Sequence, residues 1–284
     1  MIIAERSRDI GDFLVGRLLP FRKRRMVGPF IFIDHMGPSE MGNGKYLDIG
    51  PHPHIGLSTL TYLFEGEMMH RDSLGTVQRI RPGAVNWMTG GKGIVHSERT
   101  PDDMRGSKFR VHGYQIWVAL PQNLEHSEPS FYHAAADDLP TWKSGGIDYT
   151  LVAGEACGKK SPVPVHSPLF MLDLKCTEDA DWSPEALYGE VGICIVKGSV
   201  TACGDRIEAG NLLIAKPGAD CGIEIAAGSH ILIFGGEPFP EERHIFWNFV
   251  SSSKEQIEKA KSDWAEDRFP KIEGETGRIP LPGV

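Results

Sequence analysis

The fold and chemistry of this chain follow from two stretches, Pro51-His52-Pro53-His54-Ile55-Gly56 and Gly93-Ile94-Val95-His96-Ser97-Glu98. In an extended strand, successive side chains point to opposite faces of the sheet. His52 and His54 therefore share one face of their strand, and His96 and Glu98 share one face of theirs. Two such pairs that face each other would bring four ligands together, so the pattern predicts a metal site.

The donors in this predicted site are three imidazoles and one carboxylate, which suit a borderline divalent transition metal. The first half of the chain contains no thiol, because the cysteines are Cys157, Cys176, Cys194, Cys203 and Cys221. Iron, zinc, manganese, nickel, cobalt and copper all remain candidates. Four protein ligands leave a position open when the metal prefers five or six neighbours, which favours chemistry over a closed structural site. A lone His-x-His also occurs on half-exposed strands that bind no metal, but here two pairs occur.

The composition limits the classes of partner. The chain has 284 residues, 38 of them acidic and 30 basic, and a net charge of −8, which gives no general attraction to nucleic acid or to anionic membranes. The odd number of cysteines and the absence of a C-x-x-C motif favour a reducing compartment. No signal peptide and no long apolar run are evident in the sequence. We therefore expect a cytoplasmic protein with no direct nucleic-acid or membrane partner.

Glycine and proline punctuate the first half at short intervals, and this texture is typical of an all-β sandwich or barrel. The predicted strands include 30–33, 57–64, 85–88 and 114–120. The same texture returns later, where Val196–Val200 parallels Phe64–Met68 and Glu208–Leu212 parallels Arg81–Val85. The sequence therefore predicts a duplicated barrel.

The expected domain division follows chain order. Residues 1–130 would form an amino-terminal barrel with the metal site, 131–165 an inter-domain crossing, and 166–284 a carboxyl-terminal barrel without metal. Ser252 and Glu255 have the spacing of a capping box, and apolar residues follow at helical intervals. A helix of about three turns is predicted there, followed by an irregular tail.

Several motifs together resemble the pirin family of the cupin superfamily over nearly the whole chain. They are 26–30 (MVGPF), 32–38 (FIDHMGP), 51–54 (PHPH), 93–98 (GIVHSE), 115–118 (QIWV) and 246–250 (FWNFV). The resemblance implies a bicupin, with two double-stranded β-helix (jelly-roll) barrels and the metal in the first. His52, His54, His96 and Glu98 match the ligand positions of that family, which typically carries iron as Fe(II). The glutamate that ordinary cupins place after the second histidine is Ser58 here, so Glu98 would replace it.

The resemblance implies two kinds of function. Some bacterial pirins resemble quercetin 2,3-dioxygenases, which open a flavonol with O2 and release CO. Glu98 would then act as the catalytic base on the flavonol 3-hydroxyl. Other members are non-enzymatic metal- or redox-sensing regulatory proteins that bind protein partners. Gln115 and Trp117 share a strand face, which is consistent equally with pocket lining and with ordinary core packing.

Overall fold

A computed structural model describes residues 1–9, 13–184, 187–215 and 222–283. Within these residues the strands, numbered in chain order, are β1 (Ile2–Ala4), β2 (Arg6–Asp9), β3 (Leu14–Leu19), β4 (Phe30–Met41), β5 (Asp48–His54), β6 (Leu57–Glu65), β7 (Met68–Asp72), β8 (Val77–Ile80), β9 (Val85–Thr89), β10 (Ile94–Arg99), β11 (Phe109–Ala119), β12 (Ser130–Ala134), β13 (Thr141–Ser144), β14 (Ile147–Ala156), β15 (Lys159–Lys160), β16 (Leu169–Cys176), β17 (Ala180–Trp182), β18 (Glu190–Lys197), β19 (Ser199–Ala202), β20 (Asp205–Glu208), β21 (Asn211–Ile214), β22 (Ile223–Ile225), β23 (His230–Gly236), β24 (His244–Phe246) and β25 (Phe249–Ser251). The four predicted strands fall in β4, β6, β9 and β11. Short 3₁₀ helices occupy Asp102–Met104, Gln122–Leu124 and Ala136–Asp138, and α1 spans Lys254–Ala265.

The first compact unit, here called the first barrel, comprises residues 8–15, 34–133 and 240–284. Its four-stranded sheet has the order β5-β10-β7-β8. The central strands of the seven-stranded sheet β12-β9-β6-β11-β4-β3-β2 also lie in this unit. A buried apolar cluster that includes Met36, Leu63, Met68 and Val111 forms part of its core.

The second unit, here called the second barrel, comprises residues 1–7, 16–33 and 134–239. Its larger sheet has the order β1-β21-β18-β23-β16-β14-β13, with β15 paired to β14, and its smaller sheet has the order β17-β22-β19-β20. Gly66 and Gly198 lie at corresponding turns in the two barrels, where the chain passes from one sheet to another (β6 to β7 and β18 to β19). Both have a positive φ, 81° and 75°. Glycine adopts this conformation without steric cost, which explains the repeat in the sequence.

The units differ from the expected division at both chain ends. The first residues pair with the second barrel, because β1 runs antiparallel to β21 with Ile3 opposite Leu212. The last residues belong to the first barrel, where Ile257, Ala260 and Trp264 of α1 pack with Ile55 and Val95. Strands β13 to β15, within the expected crossing, belong to the second barrel.

The carboxyl-terminal helix forms where the sequence predicts it, but its cap lies one residue later. Ser253, rather than Ser252, is the N-cap, and its hydroxyl accepts a hydrogen bond from the Gln256 amide at 3.4 Å. Ser252 is engaged elsewhere, because its amide donates to Glu125 at 2.8 Å. Nowhere in the described residues is a helix long and apolar enough to cross a bilayer. Cys203 is disulfide-bonded, which the expectation of reduced thiols did not include.

Candidate metal site

Three adjacent strands of the four-stranded sheet carry the candidate site. The register of β10 on β5 places His96 opposite His52, and the register of β10 on β7 places His96 opposite Asp72 and Glu98 opposite His70. Residues that oppose each other in a sheet share a face. The two predicted pairs therefore lie on neighbouring, hydrogen-bonded strands of one sheet, β5 and β10. The sequence suggested instead two pairs that face each other.

The three predicted histidines meet in the interior of the first barrel. His52, His54 and His96 are buried, and each offers a ring nitrogen within 4.8 Å of those of the other two. Nε2 of His54 lies 3.0 Å from Nε2 of His96. The Nδ1 of His52 lies 2.8 Å from the carbonyl oxygen of Gly50, to which it can donate, and this leaves its Nε2 free to bind a ligand. Glu98 is not part of this tight group of donor atoms.

Burial keeps the three imidazoles neutral. Desolvation lowers the pKa of His52 to about 4, even though the Gly50 carbonyl opposes the shift. Desolvation, together with the neighbouring rings, also lowers the pKa of His54 and of His96 well below the usual value for histidine. A neutral imidazole is the form that binds a metal, so the cluster is prepared for a cation at neutral pH.

Glu98 lies buried in the same interior, 4 % exposed. Burial raises the pKa of its carboxyl to about 7, although a hydrogen bond from Thr61 acts in the opposite direction. The Thr61 hydroxyl is 3.3 Å from Oε1 of Glu98 and 2.9 Å from Oε1 of Gln115. Since one hydroxyl has one proton, it can donate to only one of these oxygens at a time. Gln115 is half-buried, and through Thr61 it is joined to the polar group around Glu98.

Trp117 contacts the histidine cluster, whereas the hydroxyl of Ser58 bonds elsewhere. The ring of Trp117 meets the ring of His54 edge to face, with 5.2 Å between centroids, so Trp117 packs directly on the histidine cluster. Ser58 takes no part in that cluster, because its hydroxyl pairs with the hydroxyl of Thr89 at 3.1 Å.

The turn after His54 depends on Gly56. Its φ is +65°, and a Cβ at this position would lie 1.9 Å from the carbonyl oxygen of Val250. Only glycine combines this conformation with so close an approach. The turn leads directly from β5 into β6, and it thereby fixes where the His52-Pro53-His54 strand ends.

His70 and Asp72, which the sequence did not identify as site residues, lie against His96. Both are buried, and Nε2 of His70 lies 3.1 Å from Oδ2 of Asp72. They form a His-x-Asp pair, and the period of two that identified the other pairs would have found it. Asn86 was also missed, and its Oδ1 lies 2.7 Å from Nδ1 of His133.

The donor set fits a transition metal. Two Nε2 atoms bound to one ion at about 2.1 Å each would lie roughly 3–3.4 Å apart, close to the 3.0 Å between His54 and His96. Two neutral rings in contact through Nε2 can share one hydrogen bond, or both lone pairs can point at a cation. The buried Nδ1 of His54 has no hydrogen bond of good geometry within the described residues, although its ring faces the backbone of Asn248.

The two barrels, with a three-histidine cluster inside the first, define a bicupin. Residues 12–118 match the pirin family and residues 171–270 match the pirin C-terminal cupin domain. A pirin-like protein of Caulobacter vibrioides is 46% identical over 99% of this chain and 99% of its own length. Human pirin is 30% identical over 92% of this chain and 89% of its own length. This chain belongs to the pirin family.

Solved structures agree with this assignment. The crystal structure of a quercetin 2,3-dioxygenase from Acinetobacter baumannii superposes with a TM-score of 0.91, at 38% sequence identity. The superposition covers 100% of this chain and 95% of that one. The likeness therefore includes both barrels and the carboxyl-terminal segment.

Proposed function

We propose that this protein is a metal-dependent dioxygenase that opens a flavonol such as quercetin with O2 and releases CO. The observation that carries the proposal is the group of three buried, neutral imidazoles beside a buried carboxyl in one barrel. The similarity to the quercetin 2,3-dioxygenase from Acinetobacter baumannii supports the choice of reaction.

His52, His54 and His96 would hold the metal through Nε2, with Glu98 as the fourth ligand, and we propose Fe(II) as the ion. When bound, the ion would supply Lewis acidity toward the flavonol 3-hydroxyl and redox chemistry toward O2. Zinc, manganese, nickel, cobalt and copper suit the same donors, so the choice of metal is a part of the proposal to be tested separately.

A side chain of the protein would accept the proton that the flavonol 3-hydroxyl loses. Glu98 is the buried carboxylate on the same strand as His96, and it would accept the proton of the flavonol 3-hydroxyl as the general base. The Thr61 hydroxyl can donate to Glu98 or to Gln115. It can therefore turn from one acceptor to the other when Glu98 gains or loses a proton. The ring of Trp117, which packs edge to face with His54, would keep water from that side of the cluster.

Quercetin turnover tests the proposal directly. The protein loaded with Fe(II), and separately with each of the other five metals, is incubated with quercetin in the presence and absence of O2. The expected result is loss of the flavonol absorbance, with O2 consumed and CO released in equal amounts. If no metal supports O2-dependent loss of quercetin, the proposed reaction is wrong.

The Glu98→Gln variant separates the two roles proposed for this residue. Glutamine keeps the size and the contact with Thr61 but is not a base. We expect turnover to fall by roughly 100- to 10,000-fold, the usual contribution of general acid–base catalysis. Metal content is measured on the same sample. Full metal content with turnover lost would assign Glu98 as the base alone, whereas wild-type turnover would contradict both roles.

The non-enzymatic alternative, a metal- or redox-sensing protein that binds protein partners, stays a prediction. It would gain support if the metal-loaded protein left quercetin unchanged but captured a defined partner only in the presence of metal.

A further inference from the structure

A chain of three buried side chains leads away from the histidine cluster. Nδ1 of His96 lies 3.3 Å from Nδ1 of His70, and Nε2 of His70 lies 3.1 Å from Oδ2 of Asp72. The other carboxylate oxygen, Oδ1, accepts hydrogen bonds from the backbone amides of Leu74 at 2.9 Å and Thr76 at 3.0 Å. His96, His70 and Asp72 are each at most 3 % exposed, so water does not compete for these contacts.

The contacts fix the position of each proton. The ionised carboxylate of Asp72 can only accept, so Nε2 of His70 must donate to it. In a neutral imidazole the other nitrogen then carries a lone pair, and Nδ1 of His70 becomes an acceptor. Nδ1 of His96 must therefore donate to His70, which leaves the lone pair of His96 on Nε2. That atom is the one that faces His54 in the cluster.

We propose that His70 and Asp72 are positioning residues that hold His96 in the tautomer whose Nε2 lone pair faces the metal. Metal-bound histidines commonly donate their second ring N–H to a carboxylate, which fixes the ring and its tautomer. Here the imidazole of His70 lies between His96 and the carboxylate of Asp72. The inference rests on the proposed metal site, but it does not depend on the reaction catalysed there.

A purely structural role for the pair predicts something different. The ring of His70 stacks on Phe131, with 4.5 Å between centroids and 27° between planes, so the pair also fills space between β7 and β12. A packing role would change stability when the pair is altered. It would leave the tautomer of His96 unchanged, and this difference makes the two roles separable.

The Asp72→Asn variant is the test, because it keeps the shape and reverses the hydrogen bonds. The amide oxygen would continue to accept from Leu74 and Thr76, so the amide NH2 would face Nε2 of His70. His70 would then carry its proton on Nδ1 and donate to His96, which would place the His96 proton on Nε2, inside the metal site. We expect Zn(II) affinity to fall roughly 10- to 100-fold.

Two measurements report the outcome. Zn(II) affinity is measured by competition with a chromophoric chelator, and nitrogen-15 NMR of the metal-free protein reports the tautomer of His96. The wild type is expected to carry the proton on Nδ1 and the Asp72→Asn variant on Nε2. The matched control is Asp173→Asn in the second barrel, where Oδ1 of Asp173 lies 2.5 Å from Nε2 of His230. This control removes the charge of a buried aspartate from another His–Asp pair and should leave Zn(II) affinity unchanged.

The His70→Phe variant provides a second test, in case Asp72→Asn does not fold. Phenylalanine keeps the stack on Phe131 but removes both ring nitrogens, so Zn(II) affinity should again fall. If Asp72 acts through His70, adding Asp72→Asn to His70→Phe should change the affinity little further. Additive losses, or wild-type affinity and tautomer in Asp72→Asn, would overturn the inference. If the wild type itself binds no Zn(II), the proposed metal site falls with it.

Discussion

The His96→Ala variant is expected to lose metal binding and, with it, the rise in melting temperature that metal gives the first barrel. Tight zinc sites are worth about 10–16 kcal/mol over about four ligands, so one ligand contributes roughly 2.5–4 kcal/mol and its loss lowers affinity about 60- to 700-fold. His96 uses both ring nitrogens, because it contacts His54 through Nε2 and His70 through Nδ1. A shell of two histidines and Glu98 would remain.

The measurement is a thermal melt with and without Zn(II). A ligand at about 100 times its Kd stabilises the folded state by about 2.7 kcal/mol, which for a unit of this size corresponds to roughly 5–11 °C. The wild type should show this shift and His96→Ala should not. His126→Ala is the control, because His126 is an exposed histidine of the same barrel. An equal metal-dependent shift in His96→Ala and the wild type would show that His96 is not a ligand.

The part of the site that could be predicted from sequence is the part governed by strand periodicity. Side chains two residues apart share a face whatever the rest of the chain does, so His52 with His54 and His96 with Glu98 were identifiable. The residues that lie opposite one another on neighbouring strands could not be identified from sequence, because strand register depends on pairing between distant segments. His70 and Asp72 were therefore missed as partners of His96, although they have the same spacing.

The chain ends show the same limit on a larger scale. Local patterns predicted that there are two barrels, although not which residues each contains. They also predicted a helix where α1 lies, and α1 buries the apolar Ile257, Ala260 and Trp264 that have helical spacing. Local patterns cannot show which barrel a terminal strand joins. The pairing of β1 with β21 joins segments more than two hundred residues apart, as the hydrogen bond from Met1 to Ile214 also does at a separation of 213.

The position of Glu98 shows how burial completes the chemistry that residue types only suggest. The sequence shows a carboxylate two residues after a histidine, but it does not show that Thr61 is the neighbour or that the pKa rises to about 7. The contact joins β6 to β10, and the raised pKa follows from the burial of the carboxyl in the folded barrel. Without metal, a carboxyl with this pKa exists in both protonation states near neutral pH, and a bound cation would favour the ionised form that a base requires.

The Glu125→Gln variant is expected to destabilise the first barrel by about 3 kcal/mol, the lower end of the cost of breaking a buried ion pair. Oε1 of Glu125 lies 3.2 Å from Nε of Arg243, and the two side chains are 4 % and 0 % exposed. Glu125 also accepts hydrogen bonds from the Ser251 hydroxyl at 2.7 Å and the Ser252 amide at 2.8 Å. One buried carboxylate therefore holds both Arg243 and the segment that leads into α1.

The amide oxygen of glutamine can still accept from the Ser252 amide, and its NH2 can donate to the Ser251 hydroxyl. The neutral side chain cannot balance the buried charge of Arg243. The remaining carboxylate, Glu241, is 3.5 Å from Nη1 and 43 % exposed, so solvent screens it. The carbonyl oxygen of Leu120, which accepts from Nη2 at 3.1 Å, solvates the guanidinium without neutralising it. The loss of stability in Glu125→Gln should therefore come from the unpaired charge of Arg243 and not from lost packing.

Urea denaturation followed by tryptophan fluorescence measures the effect, since Trp264 lies in the helix that this segment leads into. The matched control is Glu128→Gln, which removes the same charge from an exposed pair with Lys92 and should cost at most about 1 kcal/mol. Combining Glu125→Gln with Arg243→Met removes both charges, and the double variant should be more stable than Glu125→Gln alone. If Glu125→Gln costs no more than Glu128→Gln, the buried pair does not hold the carboxyl-terminal segment, and the apolar packing of α1 on Ile55 and Val95 must do so alone.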